Sequence, residues 1–146
     1  MDSFIPWIGG KKLLRKEIIN RFPDDYTKYK YVEVFGGAAW VLFYKQASVI
    51  EIYNDINGEL VNLFKCVKYH AEAIEKEFDF VTNSREFFEG FKNQNIKYMT
   101  DIQRAARYLY LIKASYGAKV TTFGVKCRDI SNMDTVYKVK DRLSKV

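Results

Sequence analysis

The period of the apolar positions changes several times along the chain, and each change marks an element. Leu13, Leu14, Ile18, Ile19 and Phe22 recur at helical spacing until Pro23, so the pattern predicts a first helix, entered from a Gly9-Gly10 loop and stopped by proline. Tyr31 to Phe35 is a short β-branched and aromatic run, Ala38 to Lys45 is apolar and helix-compatible, and Val49 to Tyr53 is a second strand-type run. Together these predict a βαβ unit with a short crossover. Leu60, Phe64, Val67, Ala71, Ile74 and Phe78 then recur every three or four residues, the core-facing stripe of a long helix. Asn83-x-x-Glu86 reads as a capping box for a short helix carrying Phe87, Phe88 and Phe91, rings better suited to core than to stacking on a base. Thr100-x-x-Gln103 caps a further helix with Ile102, Ala105, Ala106, Leu109, Ile112 and Tyr116 inward, and with Arg104, Arg107 and Lys113 on other faces. It is expected to stop at Tyr116-Gly117. Residues 118–126 suit a loop or small hairpin, and Met133 to Val146 a basic helix.

The junction after the first strand carries the chemistry. Gly36-Gly37 at a strand-to-helix turn allows a sharp bend, lets backbone N–H groups approach a ligand and aims a helix N-terminus at it. Asp55 lies twenty positions after Phe35, at the end of the second strand, where nucleotide-binding α/β folds keep the acid that accepts ribose hydroxyls. An N-cap is the structural alternative for Asp55, and Asn57 could cap the same helix equally well. Gly9-Gly10-Lys11 is either a structural turn or a second wall of the ligand pocket. A Walker loop is excluded, because Ile5 stands at the first glycine position and Lys12 replaces the magnesium-holding Ser/Thr. An EF-hand at Asp55-x-Asn57 fails because Gly58 comes too early.

Composition narrows the class. The 146 residues suit one domain or slightly more, and 48% of them are apolar, which excludes intrinsic disorder. No apolar run reaches the ~20 residues of a membrane span, and the N-terminus lacks the features of a signal peptide. Two cysteines far apart and one histidine make a zinc site improbable; Cys66 is expected as a buried thiol and His70 on a helix surface. The net charge of +6 has a location. Residues 1–100 hold fourteen Lys/Arg and fourteen Asp/Glu, whereas residues 101–146 hold ten and four. The excess therefore sits in the last third, as binding to a phosphate backbone requires, although a solvated cationic face has the same composition.

Pro6-Trp7-Ile8-Gly9-Gly10-Lys11, the turn within Val32 to Phe43, and Asn54-Asp55-Ile56-Asn57-Gly58-Glu59-Leu60 occur in that order. Together with Arg104 to Leu111, Tyr116-Gly117 and Phe123-Gly124, they resemble the N-terminal half of the Dam-like DNA adenine methyltransferases. Members of that family transfer a methyl group from S-adenosylmethionine to the exocyclic amino group of adenine in duplex DNA. The resemblance implies a partial Rossmann-like α/β methyltransferase fold, with a cofactor-binding part at 1–66 and a mainly helical target-recognition region at 67–146. It implies that Trp7, Gly9, Gly10 and Lys11 line the S-adenosylmethionine pocket, that Phe35, Gly36 and Gly37 shape its floor, and that Asp55 holds the ribose. Trp7 could equally be core. Arg104, Arg107, Lys113, Lys119, Lys126 and Arg128 are the implied DNA contacts, in a cytoplasmic protein of bacterial or phage type.

Two departures accompany the resemblance. Ala39 stands where the family often has another glycine, leaving slightly less room for the methionine moiety. The family's catalytic Asp-Pro-Pro-Tyr motif is missing, for the only prolines are Pro6 and Pro23. The expectation is a fragment, inactive alone, with an exposed sheet edge and apolar face that leave it marginally stable or self-associating. Two alternatives remain: a catalytically silent DNA-binding module built on residues 101–146, and a dinucleotide oxidoreductase domain. The latter lacks the expected third glycine, with Trp40 and Val41 near its place.

Overall fold

The structure, a computed structural model, describes residues 1–124, 130 and 132–146. The expected DNA contacts Lys126 and Arg128 lie outside the described residues, as does Cys127. Two parallel strands, β1 (Lys30–Glu33) and β2 (Ile50–Tyr53), pair with Val32 opposite Ile52 and Glu33 opposite Tyr53. The short helix α2 (Trp40–Tyr44) connects them, so the expected βαβ unit is present with each strand starting one residue from its expected place.

Helices make up most of the rest. α3 (Gly58–Lys76) packs against both α5 (Asp101–Ala114) and α6 (Asp134–Leu143), and α4 (Arg85–Asn93) packs on α5. The stripe read from the sequence is what α3 buries: Leu60, Phe64, Val67, Ala71 and Ile74 are all buried, with Leu63 and Cys66 filling the same face. Each fully buried Leu or Ile stabilises the fold by about 1.5–3 kcal/mol, so this face outweighs the intrinsic propensity of any single residue. The Asn57 side chain caps α3 by accepting the Leu60 N–H, and Thr100 with Gln103 forms the expected capping box on α5. The helix departs from helical geometry at His70, which is exposed. The expected division at residue 66 falls within α3, so the two parts share one helix.

Several local expectations need correction. The cap of α4 is Ser84, whose side chain accepts the Phe87 N–H, and Asn83 stands one residue too early. α1 (Arg15–Ile19) has only five residues and buries none of them, while Leu13 and Leu14 are exposed. Its apolar spacing is only partly covered, with Ile18, Ile19 and Phe22 half-buried, and helical periodicity with little surface to bury against does not extend a helix. The α1 region meets α2 through Arg15, whose guanidinium lies 4.2 Å from the Tyr44 ring centroid and 5.5 Å from that of Trp40. After α5, the chain turns through Tyr116–Ala118 and returns to bridge Ser115 with Phe123. This is the small return expected at 118–126, as far as the described residues extend.

α2 begins two residues later than expected because Ala39 is left-handed, with φ 54° and ψ 36°. Ala39 is fully buried. The departure from glycine at this position therefore acts on the backbone, since a non-glycine residue in the left-handed region is strained by about 1–2 kcal/mol.

Candidate functional site

A cavity of about 170 Å³ opens between the Gly9-Gly10 loop and the Gly36-Gly37 turn. Trp7, Gly9, Gly10, Lys11, Phe35, Gly36, Gly37 and Asp55 all line it. The eight residues expected to form one pocket thus converge, although they come from three separate stretches of chain. The Gly9-Gly10-Lys11 loop is a turn, with the Gly10 N–H donating to the Trp7 carbonyl at 3.2 Å, and it also lines the cavity.

The glycines serve the protein's own rings. A Cβ on Gly36 would lie 2.1 Å from the Tyr53 ring, and one on Gly10 would lie 2.7 Å from Trp40 Nε1. Gly37 has φ +50° and faces the Trp7 ring, so a Cβ there would stand 3.0 Å from it. The turn is therefore thin because aromatic rings press against the glycine positions. The Tyr53 hydroxyl donates to the Gly37 carbonyl at 2.8 Å, and its ring stacks on Phe64 with centroids 4.4 Å apart. β2 and α3 thus hold the turn in place.

Asp55 does not cap α3. Its Oδ2 accepts the Gly37 N–H at 2.8 Å and its Oδ1 accepts the Asn57 N–H at 2.9 Å. A carboxylate oxygen has two acceptor positions, so each oxygen retains capacity for a ligand hydroxyl. Lys11 reaches across the cavity to the Phe35 carbonyl, with Nζ to O of 3.4 Å. The Phe35 ring itself is 78% exposed and stands at the rim, whereas a floor position was expected.

Four lining residues went unread in the sequence, Ile8, Glu33, Ala38 and Trp40. Glu33 ends β1 and is buried, with Oε2 accepting the Tyr31 hydroxyl and the Leu42 N–H, both at 3.1 Å. Burial raises its carboxyl above the ordinary value, while the Tyr31 and Leu42 hydrogen bonds work the other way. Its position as the only acid of the strand-type run was the available signal. Trp40 opens α2 and carries the Lys12 ammonium 5.1 Å from its ring centroid.

None of the four expected DNA cations among the described residues lines this cavity, and three of them are engaged. Arg104 donates to the Glu59 carboxylate and also pairs with Asp101 at 3.5 Å. Arg107 donates to the Phe91 and Lys92 carbonyls at the C-terminal end of α4, and Lys113 donates to the Ile130 and Asn132 carbonyls. Lys119 is exposed. Cys66 is buried, as expected, and burial raises its thiol above the usual value. Among the described residues no helix is long and apolar enough to cross a membrane.

Two parallel strands joined by α2, with the glycine turn facing an acid after the second strand, make a partial α/β fold. The model of the D12 class N6 adenine-specific DNA methyltransferases matches residues 7–122, and the chain belongs to that family. It is 28% identical over 125 residues to the type II methyltransferase M1.LlaDCHI of Lactococcus lactis subsp. cremoris, covering 80% of this chain and 42% of that protein. Over 118 residues it is 30% identical to the DNA adenine methylase of Escherichia coli strain K12, covering 78% and 41% respectively. The type II methyltransferase M.MjaIII of Methanocaldococcus jannaschii is 26% identical over 134 residues, covering 80% and 46%. The chain thus spans less than half the length of these relatives.

Proposed function

We propose that these residues form the S-adenosylmethionine cradle of a DNA adenine methyltransferase that modifies the exocyclic amino group of adenine in duplex DNA. The observation that carries this is the charge and shape of the cavity. It presents one ammonium, Lys11, two acids, Glu33 and Asp55, and the rings of Trp7, Phe35 and Trp40. S-adenosylmethionine carries a ribose diol, a carboxylate, an ammonium, a sulfonium and an adenine ring. Asp55 would accept the ribose hydroxyls, Lys11 would meet the carboxylate, and the Glu33 carboxyl would face the cationic end of the molecule. The oxidoreductase alternative lacks the third glycine of a dinucleotide turn, with Trp40 and Val41 near its place. When bound, the cofactor supplies the methyl group. The protein's part is to hold the ribose and fix the glycine turn through the Asp55–Gly37 hydrogen bond.

The 146 residues hold no Asp-Pro-Pro-Tyr sequence, and we propose that alone they bind without transferring. The division at residue 66 is then one of role, with residues 67–146 serving target recognition. Arg104, Arg107, Lys113 and Lys119, together with Lys126 and Arg128, remain the proposed phosphate contacts. The first three would have to exchange intramolecular partners for the duplex. Self-association through the exposed face of β1 and β2, and a cytoplasmic setting, belong to the same proposal.

Calorimetric titration with S-adenosylhomocysteine is expected to give one site, weakened at least tenfold by Asp55→Ala and indifferent to NADH. Absence of binding, or competition by NADH, overturns the cofactor assignment. Duplex affinity should fall linearly in the logarithm of salt concentration, and a salt-independent affinity removes the phosphate role from the basic residues.

A further inference from the structure

Asp55 is held from behind, and the hold leads into the helical region. Asn57 uses three of its polar groups at once. Its N–H donates to Asp55 Oδ1 at 2.9 Å, its Oδ1 accepts the Leu60 N–H at 3.1 Å, and its Nδ2 donates to the Tyr108 hydroxyl at 2.9 Å. With both ends of the amide engaged, the orientation of the Asn57 side chain is determined, and with it the peptide that donates to Asp55. Tyr108 lies on α5, 51 residues further along the chain, and is 7% exposed. Its ring belongs to the core between α3 and α5, so its hydroxyl is a fixed acceptor. The other Asp55 oxygen takes the Gly37 N–H. A chain of directed hydrogen bonds therefore runs from α5 through Tyr108, Asn57 and Asp55 to the glycine turn.

We propose that Tyr108 is a positioning residue for the cofactor: its hydroxyl, acting through Asn57, holds the Asp55 carboxylate in the orientation that reads the ribose diol. This rests on the cofactor assignment above and adds that the helical part of the chain sets the geometry of the cradle. Packing alone would require the Tyr108 ring and leave its hydroxyl without consequence.

Tyr108→Phe keeps the ring and removes the acceptor. Asn57→Ser keeps a side-chain oxygen that can cap α3 and lacks the amide that reaches Tyr108. Each is titrated with S-adenosylhomocysteine and with its 2′,3′-dideoxy counterpart, which lacks the hydroxyls that Asp55 would bind. For Tyr108→Phe, affinity for the ribose ligand is expected to fall about fivefold, the reach of one hydrogen bond. Affinity for the dideoxy ligand should stay within twofold of the unsubstituted protein. Asn57→Ser is expected to repeat that pattern, and the double variant to be no weaker than the weaker single one, because both changes break the same link. Unchanged ribose discrimination in both variants overturns the proposal and leaves the cofactor assignment standing, as does an equal loss for the two ligands. Failure of the unsubstituted protein to bind either ligand overturns both. If Tyr108→Phe does not fold, Asn57→Ser decides alone by the same ratio.

Discussion

The two faces of the β1–β2 ribbon invert the usual arrangement of a small sheet. One face pairs Tyr31 with Glu51 and Glu33 with Tyr53; both acids on it are buried. The other pairs Lys30 with Ile50 and Val32 with Ile52, and its apolar residues Val32, Ile50 and Ile52 stay 45–48% exposed. On the inward face, every acid has a named partner. Glu33 takes the Leu42 N–H, and Glu51 takes the Lys45 ammonium, the Ser48 N–H and the Arg142 guanidinium. Parallel strands are usually covered on both sides. The contrast teaches that buried polar groups can be accommodated by specific pairing, whereas exposed apolar groups have only area to offer and stay uncommitted until something covers them.

The largest way to break this contrast is at the inward face. Arg142 donates to both Glu51 oxygens and to the Leu42 carbonyl at 3.0 Å, tying the end of α6 to β2 and α2. Arg142→Ala would leave the buried Glu51 with Lys45 and the Ser48 N–H, and breaking a buried pair costs about 3–5 kcal/mol. With Lys45 remaining, we predict a loss near the lower figure, read from the midpoint of chemical denaturation at neutral pH. A loss under about 1 kcal/mol would mean that Lys45 suffices. The effect has a pH signature. Burial pushes the Glu51 carboxyl upward, but the hydrogen bonds from Arg142 and Lys45 outweigh it, so its value lies below the ordinary one. The pair's contribution is therefore fully present above the ordinary glutamate value of about 4.3 and is lost as pH falls through the lowered one. Arg142→Ala should flatten that acid limb.

At the outward face the change is smaller and concerns association. If Val32, Ile50 and Ile52 bring two copies together, Ile52→Lys removes a half-exposed apolar side chain from each copy and opposes two like charges. We predict an association constant at least tenfold lower in sedimentation, corresponding to about 1.4 kcal/mol, with the folded signal unchanged. A sequence-identical chain that sediments as a monomer at all concentrations would show that the exposed face is tolerated without a partner.

This difference between faces also marks what could be read from the sequence. Periodic signals survive because they are local: the α3 stripe and the Thr100-x-x-Gln103 box announce themselves within a few residues. Gly36-Gly37 and Asp55 were legible for a similar reason, since strand length and turn geometry fix their spacing within one βαβ unit. Pairings across the chain were not. Arg142 meets Glu51 from 91 residues away, and Arg104 meets Glu59 from 45 away, so a charge count that made the last third basic could not say which cations were already engaged. Leu13 and Leu14 erred the other way. Their spacing promised a buried face that is only partly covered.

The smallest expected effect lies at Ala39, where strain and packing oppose each other. Glycine would relieve the left-handed backbone by about 1–2 kcal/mol. It would also remove a fully buried methyl, worth about 0.8 kcal/mol, and would loosen the unfolded chain by about 0.4–1 kcal/mol. These nearly cancel, so Ala39→Gly should alter stability by no more than about 0.5 kcal/mol in thermal or chemical denaturation. Ala39→Val should be far worse, because a β-branched residue tolerates this backbone poorly and no space surrounds it. A large gain from glycine would mean that the methyl is poorly packed; a large loss would mean that the strained turn depends on it. Either result would move Ala39 from a neutral departure to a residue on which the geometry of the cradle depends, because the Ala39 N–H donates to the Gly36 carbonyl at 2.8 Å.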